Sequence, residues 1–271
     1  MHGLGNDFAI FDGRTRPLAV SPDLARAVCD RRIGIGCDTM VVMHPGNDKA
    51  ATILKFFNAD GGEVESCGNA SRCVARLLMD EKGVTSITLD TRGGLLVCTD
   101  AGNGDVTVDM GKPGLEWDQV PLAAPANTND VALDLDGTGY KLATASMGNP
   151  HAVLFVEDAE KAPVTSIGPR IETHALFPAR TNVEFVSVRD RSNMRMRVWE
   201  RGVGVTLACG TGACAAAVTA HRRGLTDRKV NVELDGGTLS IEWRASDDHV
   251  LMTGPIAEVY TGEIDLAALL T

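Results

Sequence analysis

Short runs in which apolar and polar residues alternate follow one another along most of the chain. A period of two residues is typical of β-strands that bury one face, and the runs are rich in β-branched residues. They fall into two groups, one in each half of the chain. The first half reads FAIFDG, TMVVM, ATILKFFN, SITLDT, GLLVCTD and DVTVDM, and the second half reads AVLFVED, NVEFVSV, MRMRVWE, KVNVEL, GTLSIEW and HVLMTG.

Two segments follow a helical period instead. The one that begins in ESCGNASRC predicts a helix with one buried stripe. The other, ACAAAVTAHRRG, is apolar on all sides before its arginines and predicts a deeply buried helix. Its basic residues stand at the C-terminal end, where the helix dipole favours cations. The stripe of the first helix consists of Ala70, Cys73, Val74, Leu77 and Leu78.

The two helical segments belong to a longer internal repeat. Cys67 and Cys209 each precede a helix, and each is followed, at nearly the same distance, by a Gly-Gly pair and then by a Met-x-x-Pro motif. Upstream, GND and GNP precede the two cysteines by nearly equal distances as well. The common order of these weak matches predicts a duplicated domain.

The repeat sets the expected fold class and the expected domain boundaries. We expect an α/β protein of two pseudo-symmetric domains, each a curved mixed or antiparallel sheet around a central helix, with the active site in the cleft between them. The N-terminal domain is predicted over residues 1–113, and the tail over residues 257–271 is expected to pack back on it. The C-terminal domain is predicted over residues 114–256, and the stretch from Pro113 to Asn129, rich in Pro, Gly and Asn, is interpreted as the passage between the domains.

Composition narrows the class of protein. The chain has 271 residues, of which 44% are hydrophobic, and a formal net charge of −10, which argues against nucleic acid as a partner. No apolar run is long enough to span a bilayer, and no signal peptide is recognised at the start. Seven cysteines spread over this length argue against a disulfide scaffold and favour a reducing cytoplasm.

A cysteine at the start of a helix has a specific chemistry. The free backbone N–H groups and the helix dipole stabilise a thiolate, and the same groups bind a carboxylate. Two such helix starts, brought together by the pseudo-symmetry, would hold one carboxylate with a sulfur on each face of its α-carbon. This arrangement suits inversion at that carbon, since one sulfur removes the proton and the other returns one. Nothing in the sequence calls for a metal or another cofactor.

The segments HGLGNDF, FNADGGEVESCGNASRC, MGNPHAV and ERGVGVTLACGTGAC resemble the diaminopimelate epimerase family, in the same order and over essentially the whole chain. The resemblance implies a cofactor-independent isomerase. It would interconvert LL- and meso-2,6-diaminopimelate in the synthesis of lysine and peptidoglycan precursors. It also implies a homodimer.

The same resemblance assigns roles to individual residues. It implies that Cys67 and Cys209 are the acid/base pair and that His151 and Glu200 are polar groups supporting the thiols. It implies that the reacting carboxylate binds to Gly68, Asn69, Gly210 and Thr211. The remaining substrate contacts would come from Asn6, Thr39, Asn58, Asn149, Asn182, Glu200 and Arg201. Thr39 stands where the family usually has Gln.

The other cysteines are interpreted as packing residues. Cys73 and Cys214 lie well around their helices from the helix-start cysteines and are expected to face the core. That rotation, and the absence of C-x-x-C spacing, argue against a zinc site. Cys29, Cys37 and Cys98 are likewise interpreted as packing residues.

Three other functions stay open on the sequence alone. The nearest is another two-cysteine, cofactor-independent amino-acid racemase on the same fold, acting on a proline-like or other substrate. A second is a cysteine hydrolase that uses Cys209 with His151 and has no need of Cys67. A third is a binding protein of this fold without catalytic activity.

Overall fold

The computed structural model describes residues 1–65 and 67–270. The chain forms two compact units, Met1–Val108 with Gly254–Thr271, and Asp109–Thr253. In the described part of the chain, no helix combines the length and the apolar character needed to cross a membrane.

The first unit is a mixed sheet with two helices. The helices are α1 (Pro22–Cys29) and α2 (Gly68–Lys82). A short 3₁₀ helix at Leu266–Leu270 contacts α1, and His2 bridges to Ala257. The strands are β1 (His2–Gly3), β2 (Asn6–Asp12), β3 (Thr39–Asn47), β4 (Ala50–Asn58), β5 (Glu63–Val64), β6 (Ser86–Thr91), β7 (Gly94–Gly102) and β8 (Asp105–Asp109).

The second unit has the same kinds of element. Its helices are α3 (Val164–Glu172) and α4 (Gly210–Arg222), with a 3₁₀ turn at Ala159–Lys161. Its strands are β9 (Val131–Leu135), β10 (Thr138–Ser146), β11 (Pro150–Phe155), β12 (Asn182–Asp190), β13 (Asn193–Glu200), β14 (Gly204–Val205), β15 (Lys229–Leu234), β16 (Gly237–Trp243) and β17 (Val250–Gly254).

Strand pairing repeats from one unit to the other. In the first unit β2–β3 and β4–β6 are parallel, whereas β3–β4, β4–β5, β6–β7 and β7–β8 are antiparallel. In the second unit β11–β12 and β13–β15 are parallel, whereas β12–β13, β13–β14, β15–β16 and β16–β17 are antiparallel. The predicted duplication and fold class are therefore confirmed.

Each unit is organised around its longer helix. In α4 every residue from Gly212 to Ala220 is buried, and the helix contacts β10, β11, β12 and β16. Such a helix is stabilised by packing on all sides, since it offers no polar face to solvent. The deep burial predicted for this segment is confirmed.

The helix α2 is buried more widely than predicted. Its run from Gly68 to Ala75 is buried continuously, including Arg72, whereas Leu77 of the predicted stripe is only half-buried. The helix ends at Gly83, whose φ of 65° is the left-handed conformation that suits glycine at a C-cap. The prediction of a single buried stripe was therefore wrong for its first two turns.

Candidate functional site

The second cysteine of the repeat begins α4. Cys209 is the N-cap residue, in an extended conformation, and its Sγ lies 3.4 Å from the backbone N of Gly212, which donates to it. The hydroxyl of Thr211 lies 3.6 Å from the same sulfur. The sulfur thus occupies the position where helix N–H groups and the helix dipole act on it.

The environment of this sulfur opposes its ionisation. Burial raises the pKa of the Cys209 thiol well above its ordinary value, and the nearby carboxylates of Glu200 and Glu184 raise it further. The bonds from Thr211 and Gly212 lower it, but by less than burial raises it. Cys209 therefore holds its proton at neutral pH and is suited to donate it.

A chain of polar side chains leads away from Cys209. The Nδ2 of Asn149 donates to Thr211 Oγ1 at 3.3 Å, and the Oδ1 of Asn149 lies 3.0 Å from His151 Nε2. The other ring nitrogen, Nδ1, lies 2.7 Å from Glu184 Oε1. His151 and Glu184 are both fully buried, so these contacts are shielded from water.

Glu200 is the last residue of β13, and Arg201 follows it in a turn. The side chain of Asn182 holds this turn, because its Oδ1 accepts from the backbone N of Arg201 at 2.9 Å and its Nδ2 donates to Pro150 O at 3.0 Å. The guanidinium of Arg201 donates to Ala179 O. Glu200 accepts a short hydrogen bond from Thr206.

The same turn is held from its other side by a buried carboxylate. Glu172, the last residue of α3, accepts from the backbone N of Gly202 at 2.9 Å and from the indole N–H of Trp199 at 2.7 Å. Arg180 lies 3.5 Å from this carboxylate. The direction in which the turn presents its charged residues therefore depends on α3 as well as on the sheet.

In the first unit the other cysteine begins α2. Cys67 is the N-cap residue of this helix, in an extended conformation, and its backbone O accepts from Ser71 N at 2.9 Å. Its side chain is partly exposed, in contrast to that of Cys209. Gly68 and Asn69, the first two helical residues, are buried.

Polar residues surround this helix start too. The Nδ2 of Asn69 donates to Asn6 Oδ1 at 3.2 Å, and the Nδ2 of Asn6 donates to Asp38 Oδ2 at 2.9 Å. Thr39, at the start of β3, lies opposite Asn58, at the end of β4. Asn6 begins β2, Thr39 begins β3 and Asn58 ends β4, so the three residues lie at the same end of three neighbouring strands.

The two sets of residues occupy equivalent points in their units. In the parallel pair β2–β3 Phe8 lies opposite Thr39, and in the parallel pair β11–β12 His151 lies opposite Asn182. Asn58 ends β4 just as Glu200 ends the equivalent β13. Two half-sites with the same plan, each around an N-cap cysteine, follow from the duplication.

Three acidic residues of the half-sites did not stand out in the sequence. Glu172, Glu184 and Asp38 hold the residues that the motifs did predict. Asp38 also accepts from Arg31, which binds Asp7 through both of its terminal nitrogens at 2.8 Å each. Asp38 stands within the motif GCDT, which offered the only signal of the three.

The remaining cysteines are buried, as predicted. Cys73, Cys98 and Cys214 have no exposed surface, and burial raises the pKa of Cys73 and of Cys98 to about 12. Cys29 and Cys37 are also buried, and their sulfurs lie 3.6 Å apart in the core of the first unit.

Comparison with known proteins gives consistent matches. The family model described as diaminopimelate epimerase matches residues 1–116 and 143–259. The diaminopimelate epimerase of Acidiphilium cryptum is 49% identical over 99% of this chain and 96% of its own length. That of Azotobacter vinelandii is 47% identical, over 98% of each chain.

Solved structures share the fold at low sequence identity. A hydroxyproline epimerase from Agrobacterium vitis has a TM-score of 0.64 at 17% identity, and the match covers 94% of this chain and 87% of that one. A predicted epimerase from Pseudomonas aeruginosa has a TM-score of 0.66 at 22% identity, over 95% and 94% of the two chains. The match to the family model and the near full-length identity to its members establish that this chain belongs to the diaminopimelate epimerase family of isomerases.

Proposed function

We propose that the protein interconverts LL- and meso-2,6-diaminopimelate by proton removal and return at one α-carbon. The observation that carries this proposal is the pair of N-cap cysteines at equivalent points of a duplicated fold, in a chain of this family. The reaction would serve the synthesis of lysine and of peptidoglycan precursors.

The two sulfurs have opposite tasks in any one turnover. The buried environment of Cys209 keeps its proton in place, so in one direction Cys209 is the donor. Cys67 is then the base that removes the α-proton as a thiolate. In the reverse direction the roles exchange. Inversion requires a sulfur on each face of the α-carbon, and each unit supplies one.

The helix starts would bind the carboxylate next to the reacting carbon. The backbone N–H groups at the first turn of a helix have no partners within the helix, and the dipole favours an anion there. The residues concerned are Gly68 and Asn69 in α2 and Gly210 and Thr211 in α4. Binding at these positions also stabilises the negative charge that develops when the α-proton leaves.

The far end of the substrate would meet charged and amide groups. Arg201 suits the distal carboxylate because a guanidinium binds a carboxylate with two parallel hydrogen bonds. Glu200 suits the distal ammonium group. The amides of Asn6, Asn58, Asn149 and Asn182, with the hydroxyl of Thr39, complete the proposed contacts.

The direct test is conversion of purified LL-diaminopimelate, with the meso isomer measured by chiral chromatography and with no metal or cofactor added. We expect conversion to an equilibrium mixture of the isomers from either side. Parallel assays with L-proline and trans-4-hydroxy-L-proline test the racemase alternative. Conversion of either of these, without conversion of diaminopimelate, would reject the proposed substrate.

Single cysteine variants separate the epimerase from a hydrolase. Removing a general acid or base costs about 10² to 10⁴ in rate, so Cys67→Ser and Cys209→Ser are each expected to lose nearly all epimerase activity. A hydrolase built on Cys209 and His151 would keep its activity in the Cys67→Ser variant. A binding protein without activity would bind diaminopimelate and leave the isomer composition unchanged.

We further propose that the protein is a cytoplasmic homodimer. The seven free cysteines support a reducing compartment, and the family resemblance supports the dimer. Light scattering should give twice the 28.7 kDa of one chain. Fractionation of the source cells should place the protein with the cytosol.

A further inference from the structure

Glu184, which is paired with the buried His151, lies next to Cys209 and has no role in the proposed reaction. Both residues are fully buried, in β11 and β12. Glu184 Oε1 lies 2.8 Å from the point that a Cβ on Gly212 would occupy, and Cys209 Sγ lies 3.2 Å from that point. The carboxylate and the sulfur are thus close neighbours at the start of α4.

The contacts of His151 determine where its protons lie. The amide oxygen of Asn149 can only accept, so His151 Nε2 carries a hydrogen and donates it. The 2.7 Å contact between His151 Nδ1 and Glu184 Oε1 needs one further hydrogen between these two atoms. Glu184 therefore holds the ring in the orientation in which the hydrogen on Nε2 points at Asn149 Oδ1.

From His151 to Cys209, each group of the chain donates a hydrogen bond to the next one. Nε2–H donates to Asn149 Oδ1, and Asn149 Nδ2 donates to Thr211 Oγ1. The hydroxyl hydrogen of Thr211 is then left to point at Cys209 Sγ, 3.6 Å away. If Nε2 carried no hydrogen, it would accept from the Asn149 amide, the amide would turn over, and Thr211 would donate to Asn149 Oδ1 instead of to the sulfur.

We propose that Glu184 is a positioning residue for Cys209, and that it acts through the hydrogen-bonded chain that begins at His151. Its task is to present the hydroxyl hydrogen of Thr211 to the sulfur whenever Cys209 has given its proton away. A second carboxylate near the sulfur, that of Glu200 at the end of β13, also raises the pKa of Cys209 and is not part of this chain. The inference deepens the proposed function and rests on it for the catalytic role of Cys209.

The test compares two variants that both remove the negative charge of Glu184. Glu184→Gln keeps a hydrogen-bonding group for His151 Nδ1, whereas Glu184→Leu has a similar volume and no hydrogen bond to offer. In each variant, the rate at which iodoacetamide alkylates Cys209 is measured by peptide mass spectrometry from pH 6 to 11. We expect Cys209 in the Gln variant to react about fivefold or more faster at pH 8 than in the Leu variant. Without the hydrogen bond from Thr211, the Cys209 thiolate forms only at higher pH, so less of it is present at pH 8 and alkylation is slower.

The chain itself is tested by Thr211→Val in both backgrounds. If Glu184 acts through the chain, this change abolishes the difference between the Gln and Leu variants. Equal reactivity of Cys209 in the two Glu184 variants, or a difference that survives Thr211→Val, would overturn the proposal. Glu160→Gln serves as the control, because it alters a carboxylate of the same unit that pairs with Arg195 and is outside this chain, and it should leave the profile unchanged.

A second measurement needs no variant of Glu184. The ¹⁵N chemical shift of His151 in the wild-type protein should be that of a protonated Nε2 at pH 8, and an unprotonated Nε2 would contradict the proposal. Both readouts use the protein without substrate. Failure to epimerise diaminopimelate would therefore count against the proposed function alone, and an unchanged Cys209 profile would count against Glu184 alone.

Discussion

At the scale of single residues, the cluster around Cys209 in the second unit is held by buried carboxylates behind the residues that face the chemistry. Glu172 supports the turn that carries Glu200 and Arg201, and Glu184 lies behind Cys209. A buried carboxylate that accepts backbone and indole N–H groups is costly to replace, since each donor then loses its hydrogen bond.

The first prediction concerns Glu172→Gln. The amide offers one oxygen where the carboxylate offered two, so either Gly202 N or the indole of Trp199 loses its acceptor. We expect KM for diaminopimelate to rise about tenfold, the equivalent of about 1.4 kcal/mol, with kcat changed much less. Steady-state kinetics measures both. A stable variant with an unchanged KM would show that the turn does not depend on this carboxylate.

The cysteines could be predicted from the sequence and the carboxylates behind them could not. Cys67 and Cys209 occur in repeated contexts, whereas Glu184 is one polar residue in the alternating run NVEFVSV. Alternation assumes that one face of a strand meets solvent. Here Val183 and Phe185 pack into a core cluster on one face, and Glu184 faces α4 on the other. With a helix behind it, the face that alternation assigns to water is buried.

At the scale of elements, the packing of α3 on β13 depends on the absence of a side chain. A Cβ added at Gly168 would lie 2.6 Å from Trp199 Cβ, closer than two such atoms approach. The adjoining Pro169 also stands within the helix. The helix therefore exists because of its contacts with the sheet and not because of its sequence, and this explains why the pattern did not predict it.

The second prediction follows from this contact. Gly168→Ala is expected to destabilise the protein by about 2 kcal/mol, because the helix must shift away from Trp199. In a helix free of contacts the same change would stabilise by about 1 kcal/mol. The matched control is Gly139→Ala in β10, where no atom lies within 4 Å of the added Cβ. Urea unfolding of both variants measures the difference, and equal stability would contradict the account.

Other elements escaped prediction for reasons of length and context. The helix α1 has only eight residues, and its start is fixed by the Ser21 side chain, which accepts from Leu24 N, and by Pro22. The two-residue strands β1, β5 and β14 are too short to show alternation. The hairpin of β9 and β10 was also not predicted.

At the scale of the whole molecule, stability should depend on its buried thiols. Burial raises the pKa of Cys73 and of Cys98 to about 12, whereas a thiol in the unfolded chain ionises near pH 8.5. The folded state therefore keeps protons that the unfolded state loses. The stability is fully present below about pH 8.5 and falls as pH rises towards 12, by about 1.4 kcal/mol per pH unit for each thiol.

The third prediction isolates one of these thiols. Between pH 8 and pH 10 the free energy of unfolding of the Cys98→Ala variant should fall by about 2 kcal/mol less than that of the wild type. Urea unfolding at the two pH values measures this difference, and the wild type supplies the contribution of lysines and tyrosines. Parallel loss of stability in both proteins would mean that the Cys98 thiol does not remain protonated in the fold.

The duplication is the feature of the molecule that the sequence predicted best. Its evidence comes from several motif pairs along the whole chain, so a wrong interpretation of any one motif would not have concealed it. What the sequence did not contain is the environment of each sulfur. Cys67 and Cys209 stand in similar motifs, yet one is partly exposed and the other is buried beside carboxylates. That difference arises from packing, and burial is what raises the pKa of the Cys209 thiol well above its ordinary value.

The central claim is that two sulfurs exchange protons at one α-carbon, and transfer of solvent deuterium tests it most directly. LL-Diaminopimelate is incubated with the enzyme in ²H₂O, and both isomers are recovered early in the reaction and analysed by mass spectrometry. With one sulfur removing the proton and the other donating, the meso product should carry one α-deuterium while the recovered LL substrate carries almost none. A meso product that retains its original hydrogen, or no meso product at all, would contradict the account.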